Sequence, residues 1–311
     1  MLDGGSQASL SVLSSLGSRG VPLDVGAVRP GSLGAHSRYT DDELVYPDPA
    51  TRPAEFVDAV EDAAESDRYF AVIPTRDDTT TVLSRHKERV EATGVRAGVE
   101  DWSRFSRVAN KARTADLVAD LSVPIPETWA PASLDDVARI ADEVPYPALV
   151  KPRSKNVADE EGRLYIHEVG DDDYAHSPGE LLSTYERLFD ADPGMRATPP
   201  LVQEVIDGET ATTVGVADDG ELLATFQELR IRTTPHSGGS STLLRGIHDE
   251  RMLDYARELV AELGWTGPLQ VEFMRTPEDC YLIEINGRYW GSLPLATAAG
   301  VDLPWLHLGV L

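Results

Sequence analysis

The chain has 311 residues, enough for two or three domains with cores of their own. Its 53 acidic and 28 basic residues leave a formal net charge of −25, a field that repels phosphate backbones and anionic lipid, so neither a nucleic acid nor a membrane is an expected partner. Only four basic residues are lysines (Lys87, Lys111, Lys151 and Lys155), a balance that resembles proteins of salt-accumulating, halophilic cells.

Residues 1–105 alternate between helical and strand patterns. Residues 6–16 read as a helix closed by Gly17 and Gly20, 23–28 as a strand, 54–64 as an amphipathic helix, 69–73 as a strand and 81–92 as a further helix. The alternation predicts a parallel, Rossmann-like α/β layer. Only Met1 and Leu2 precede the turn Asp3-Gly4-Gly5, so the first strand is expected to be clipped. No G-x-G-x-x-G fingerprint marks a dinucleotide site. Asp77 and Asp78 follow a strand of this layer at its carboxyl end, where α/β sheets bind ligands, and are candidates for an acceptor site.

Beyond residue 105 the pattern becomes α+β with antiparallel pairs. Residues 111–121 form a predicted helix, ended by Val123-Pro124-Ile125-Pro126. Strands are expected at 148–151, 164–169, 201–205, 212–217 and 222–232, and helices at 179–189 and 249–263. Strands 269–274 and 281–286 close the pattern. Cys280, the only cysteine, excludes an intrachain disulfide, reads as a small buried hydrophobe and suits a reducing, cytoplasmic setting.

The last two strands carry the chemistry. Tyr281, Leu282, Ile283 and Ile285 suit a buried strand, yet Glu284, Asn286 and Arg288 recur at alternate positions and so share a face. In the preceding strand Leu269, Val271 and Phe273 point one way and Glu272 the other, and Thr276-Pro277-Glu278-Asp279 offers the turn of a hairpin. Glu272, Glu284 and Asn286 then converge. Like charges so placed need a cation, and three hard oxygen donors suit Mg²⁺ (or Mn²⁺) with phosphate oxygens completing the shell. Arg288, just past the strand, reaches the same phosphates.

These motifs resemble the ATP-grasp superfamily, whose metal signature is similar to E-F at 272–273 followed by E-I-N-G-R at 284–288. Lys111 before V-P-I-P-E-T, Lys151 ending a strand, Q-E-V-I-D-G-E at 203–209 and G-W-T-G-P-L-Q-V-E-F stand in the order of the carbamoyl-phosphate-synthase-like and biotin-carboxylase-like ligases. The resemblance implies a pre-ATP-grasp domain over 1–105 and an ATP-grasp domain over 106–311, with a lid lobe near 125–203 and a core lobe near 204–311. It implies that Lys111 and Lys151 grip ATP phosphates, that the backbone of Glu204, Val205 and Ile206 meets adenine, and that Glu209 takes the ribose hydroxyls. Glu272, Glu284 and Asn286 become the metal ligands, with Arg288 beside the transferred phosphoryl group.

Two segments depart from the family pattern. The loop Pro152-Arg153-Ser154-Lys155-Asn156 lacks the usual glycines, so Arg153 and Lys155 are expected to substitute side-chain charge. Gly287 stands where the family usually has proline. The segment 234–241 resembles a histidine-bearing loop near the acyl phosphate, which makes His236 a candidate to orient or deprotonate the acceptor. Arg230 and Arg232, on one strand face ahead of it, are candidates to hold a substrate carboxylate.

The implied function is an ATP-dependent ligase that activates a small-molecule carboxylate as an acylphosphate and passes it to an amine. The alternatives are a bicarbonate-activating enzyme and a degenerate ATP-binding regulatory module. Residues 301–311 stop inside an apolar pattern with no visible cap. The expectation is a longer folding unit, or a homo-oligomer or other partner covering a patch of Trp305, Leu306 and Leu308.

Overall fold

The computed structural model of the chain describes residues 1–66, 68–159, 162–191, 193–234 and 240–311. In chain order the first part holds α1 (Gln7–Gly17), β1 (Val25–Ala27), β2 (Glu43–Val45), α2 (Pro53–Ala64), β3 (Ala71–Val72), α3 (Asp77–Arg85), α4 (Lys87–Glu91), β4 (Arg96–Ala97), α5 (Trp102–Ala109) and α6 (Lys111–Val118). α1 starts at Ser6, whose side chain accepts from the Ser9 amide, and buries Val12, Leu13 and Leu16. The strands are shorter than the sequence suggests. β1–β2 and β3–β4 are two parallel pairs, and the first residues run between them. Leu2 N–H donates to Ile73 O at 2.9 Å, and Gly26 N–H to Met1 O at 2.7 Å. Asp3 braces the crossing by accepting from the Thr75 amide at 2.7 Å, the Arg76 amide at 3.0 Å and Thr79 Oγ1 at 2.8 Å.

Where one helix was expected over 81–92, two form. α3 begins at Asp77 because Asp77 and Asp78 complement the positive end of a helix, and it stops at His86 before α4. Asp77, Thr81 and Arg85 therefore lie one turn apart on one face.

The middle part contains β5 (Thr128–Trp129), α7 (Leu134–Ile140), β6 (Ala148–Lys151), β7 (Asn156–Ala158), β8 (Leu164–Ile166), β9 (Tyr174–Ala175), α8 (Pro178–Phe189), α9 (Pro193–Ala197) and β10 (Leu201–Glu204). β5-β10-β6-β9 form an antiparallel sheet. Val137, Val150, Leu181, Tyr185, Leu188 and Val202 make its core with α7 and α8. The β7–β8 hairpin instead leans on the first part, with Leu164 N–H donating to Ala50 O at 2.8 Å.

The last part is built on β11 (Glu209–Asp218), β12 (Glu221–Thr234), β13 (Ser240–Gly246), α10 (Glu250–Leu263), β14 (Gly267–Arg275), β15 (Cys280–Asn286), α11 (Leu293–Ala298) and α12 (Leu303–Val310). Its antiparallel sheet runs β13-β12-β11-β14-β15. One face packs Leu229, Leu269, Val271 and Phe273 against Leu259, Val260 and Leu263 of α10, with Cys280 buried in the same core. The opposite face is divided. Val214 and Val216 meet Val12, Leu293 and Leu303 under α1, α11 and α12. Glu228, Thr212, Glu272 and Glu284 form a transverse row on the remainder, since β12, β11, β14 and β15 pair in that register.

Two expectations change here. β14–β15 pairs Glu272 with Glu284 but Phe273 with Leu282, so Ile283 is a bulge residue. The bulge sends Leu282 and Ile285 into the core and leaves Ile283 half-buried, where strict alternation had put Ile283 and Ile285 together. α12 starts at Asp302, whose Oδ1 accepts from the Trp305 amide at 3.3 Å. Leu306 and Leu308 pack against the α1 cluster, which reduces the anticipated apolar patch to Trp305, 45% exposed with the Arg19 guanidinium 5.1 Å from its ring centre. Among the described residues no helix is long and apolar enough to cross a membrane.

Gly287 shows how tightly the end of β15 is packed. A Cβ there would sit 2.5 Å from Trp265 Cη2 and 3.1 Å from Phe105 Cε2. Gly287→Ala is expected to destabilise the fold by about 1–3 kcal/mol through forced repacking of Trp265. Urea unfolding checks it; an unchanged midpoint would show that the ring yields freely.

Candidate active site

The row at the open end of the sheet is a dense charge cluster. Glu272 and Asn286 are buried, and the Glu284 side chain is 14% exposed. Asn286 Nδ2 lies 3.2 Å from Glu272 Oε1 and 3.1 Å from Glu284 Oε1, so one amide ties both carboxylates. Two positive groups converge on Glu284: Lys155 Nζ at 2.6 Å and Lys111 Nζ at 3.3 Å. Arg230 Nη2 donates to Glu272 Oε2 at 2.6 Å. Burial alone would raise Glu284, but Lys155 and then Lys111 outweigh it and hold its carboxyl well below the usual range. Glu272 goes the other way, raised by burial and then by the neighbouring Glu284 despite Arg230.

Arg288 stands at the end of the row with a partner from the first part of the chain. Its Nε and Nη2 each donate to a different oxygen of Asp77 at 2.7 Å, a bidentate pair, while Nη2 lies 3.5 Å from Asn286 Oδ1. Burial would raise Asp77, and Arg288 reverses the direction. The acceptor-site candidate Asp77 thus borders the carboxylate row, whereas Asp78 turns to Arg76.

Lys151 is buried, and its Nζ donates to Gln203 Oε1 at 2.5 Å. Burial, then repulsion from Lys111, pushes its pKa from 10.5 down to about 7. Lys111 opens α6 beneath an Asn110 cap, and its own amide donates to Arg153 O at 2.7 Å, joining the helix to the 152–156 loop. Of the two basic residues of that loop, Lys155 enters the row and Arg153 does not, its Nε bonding Pro199 O at 2.7 Å.

Other candidates lie apart. Glu209 is exposed, 3.2 Å from Arg275 Nη1, and lines a second cleft with Asp249 and Arg251 rather than the row. Glu204 is already engaged: its N–H donates to Glu127 O at 2.9 Å and its Oε2 accepts from the Glu127 amide at 3.1 Å. Val205 and Ile206 are half-buried and make no backbone hydrogen bond to other described residues. Arg230 and Arg232 do not act as a pair, because the β12–β13 register slips between them and Arg232 turns outward to Thr242 Oγ1 at 2.9 Å. His236 lies outside the described residues.

Glu228 was not anticipated. It is 1% exposed and takes hydrogen bonds on Oε1 from Ser292 and Thr212, while Oε2 has no partner. Its place opposite Thr212 follows from strand register alone. The alternation of Glu228 and Arg230 in β12 was the available signal.

The donor set suits a hard divalent cation: two carboxylates and an amide oxygen gathered on one strand pair, with four side-chain cations nearby for phosphate oxygens. Among the described residues no group of three His, Cys, Asp or Glu side chains gathers as a metal site, so the amide is needed to complete the set.

Lys151 yields a pH test. Between about pH 7 and 10.5 the unfolded chain holds the Lys151 proton and the folded chain does not, so the group's penalty is full below pH 7 and fades as pH rises. Lys151→Met is expected to be more stable than wild type at about pH 6, with the advantage shrinking by about pH 10. Denaturant titrations at both pH values check it; a pH-independent difference would remove the buried charge from the account.

A family model described as ATP-grasp in the biosynthetic pathway with Ter operon matches residues 196–311. The carbamoyl phosphate synthase large chain of Thermus thermophilus is 27% identical over 290 residues, covering 88% of this chain and 25% of that protein. The chain thus spans about a quarter of the length of the curated relatives it matches. Among solved structures, a biotin carboxylase from Campylobacter jejuni superposes with a TM-score of 0.74 at 13% identity, covering 99% of this chain and 70% of that one. An L-amino acid ligase from Bacillus licheniformis superposes with a TM-score of 0.73 at 12% identity, covering 98% and 71%. Residues 196–311 thus match an ATP-grasp family model, and over most of its length the chain is similar to carbamoyl phosphate synthase large chains, with its E-F and E-I-N-G-R strands paired on one sheet face.

Proposed function

We propose that the protein is an ATP-dependent carboxylate–amine ligase. The observation that carries this reading is the Glu272–Glu284–Asn286 row faced by Lys111, Lys155, Arg230 and Arg288. Glu272, Glu284 and Asn286 are the residues to hold Mg²⁺ (or Mn²⁺), which when bound neutralises charge on the β- and γ-phosphates. Lys111 and Lys151 hold the phosphates; Lys151, lowered to about 7 by burial and then by Lys111, gains protonation as an anion arrives. Lys155 and Arg230, paired with Glu284 and Glu272, are placed so that they would meet phosphate or substrate oxygens at the same sheet end.

A carboxylate oxygen attacks the γ-phosphorus, the bond to the β–γ bridging oxygen breaks, and ADP leaves. Arg288, held flat by Asp77, is aimed at the charge developing on the transferred group. The amine nitrogen then attacks the acyl carbon, the acyl–phosphate C–O bond breaks, and the amine proton leaves with phosphate or water. The 1–105 and 106–311 division and the two lobes of the ATP-grasp part are kept in this proposal, with Val205 and Ile206 offering unoccupied backbone groups to adenine.

ADP release measured with Mg²⁺ across a matrix of carboxylates and amines tests the reading. Turnover that requires one of each supports it; no pair giving release above background overturns it. Glu284→Ala is expected to lower metal-dependent turnover by on the order of a hundredfold or more. The same change strands Lys155 and Lys111, so it also lowers stability by about 1–3 kcal/mol. Parallel assays of ADP and thermal unfolding check both, and undiminished ADP release would end the metal assignment.

A further inference from the structure

The cations that face the carboxylate row do not stand on it alike. Lys111 Nζ lies 3.3 Å from Glu284 Oε2, and Arg230 Nη2 lies 2.6 Å from Glu272 Oε2. Arg288 is clasped to Asp77, with its Nη2 3.5 Å from Asn286 Oδ1. Lys155 alone among them bonds two of the three donor residues: its Nζ donates to Glu284 Oε1 at 2.6 Å and to Asn286 Oδ1 at 3.1 Å. A divalent ion bridging those two oxygens stands about 2.0–2.1 Å from each, in the space the ammonium takes. The charge balance points the same way. Lys111, Lys155, Arg230 and Arg288 already outnumber Glu272, Glu284 and Asp77, so two further positive charges are opposed unless a cation leaves.

Lys155 reaches the row because its loop is pinned on both sides of it. Before it, Lys111 N–H donates to Arg153 O at 2.7 Å, and Arg153 Nε donates to Pro199 O at 2.7 Å. After it, Asn156 opens β7, and its Nδ2 donates to Thr81 Oγ1 at 3.2 Å. These bonds hold the path of the loop without the Lys155 side chain. That side chain is 38% exposed, so it has a way out of the row. A lysine ammonium is a compact charge on a flexible stem and can give way, whereas the planar fork of an arginine would grip both oxygens at once.

We propose that Lys155 is a tethered counter-ion that shares the metal position, so that its ammonium and a divalent cation exclude one another on Glu284 and Asn286. The inference rests on the metal ligands named in the ligase reading, and adds how that site is guarded. While Lys155 is in place, a divalent ion on its own binds weakly. Phosphate oxygens that pair with the ammonium favour its departure, so metal and nucleotide enter together rather than metal first. A chain of net charge −25 gathers cations over its whole surface, and this device keeps the row from filling before a nucleotide is there.

Titration of the full chain with Mn²⁺ in the absence of nucleotide, followed by loss of the free-ion electron paramagnetic resonance signal, tests this. Lys155→Met is expected to bind Mn²⁺ about tenfold or more tightly than wild type, because a charge-assisted competitor is gone. Lys111→Met removes an equal charge but leaves Lys155 on both oxygens, and is expected to gain less. Adding Glu284→Gln to Lys155→Met is expected to abolish the gain, which separates the row from surface carboxylates. Thermal unfolding gives a second reading: one fixed Mn²⁺ concentration is expected to raise the melting temperature of Lys155→Met more than that of wild type. Affinity in Lys155→Met within about threefold of wild type, an equal gain in Lys111→Met, or a gain that survives Glu284→Gln overturns the proposal. A protein that releases ADP with a carboxylate and an amine but fails these tests sinks this inference alone. One that passes them yet releases no ADP with any pair sinks the ligase reading instead.

Discussion

Glu284 is the residue on which the arrangement turns. Its carboxylate sits at the end of a buried strand pair, next to Glu272, where two negative charges would repel strongly without compensation. The compensation comes from far along the chain: Lys111 at the head of α6 and Lys155 in the loop before β7. Each cation is delivered by a different element, so the charge balance of one strand end pulls the helix and the 152–156 loop toward the core sheet. The Asp77–Arg288 pair extends the same logic to α3. Removing one partner from such a network leaves charges that burial makes expensive, which is why the site and the docking of the parts around it are not separable.

This dependence explains what could be read from the sequence. Glu272, Glu284 and Asn286 were legible because strand periodicity places them on one face regardless of the rest of the fold, and the turn at 276–279 set their pairing. Long elements with a clear apolar period, such as α2, α10 and β12, were legible for the same local reason. The bulge at Ile283 and the slip between Arg230 and Arg232 were not, since one extra residue changes the facing without leaving a compositional mark. Short elements such as β5 and β9 are two residues each, too brief to show any period.

Tertiary partners were the other blind spot. Nothing near Lys155 in sequence announces Glu284, 129 positions away, nor does anything near Asp77 announce Arg288, 211 positions away. Glu209 illustrates the converse. A motif position implied a nucleotide contact, and the residue lies on a separate cleft beside Arg275. Motif order carried the resemblance; the register of each side chain had to come from the packed sheet.

The acidic surplus and the site also constrain each other. The field that argues against nucleic-acid partners opposes ATP as well, because the triphosphate carries the same sign of charge. Salt screens that opposition over a Debye length of about 10 Å at 0.1 M, while pairs within hydrogen-bond distance, partly out of water, are screened far less. Lys111, Lys151, Lys155, Arg230 and Arg288 are nevertheless concentrated around one sheet end, against the sign of the chain as a whole. Three of its four lysines are at that end. Among them Lys151 is the one whose pKa is drawn down to about 7, because burial and then Lys111 make its charged form costly.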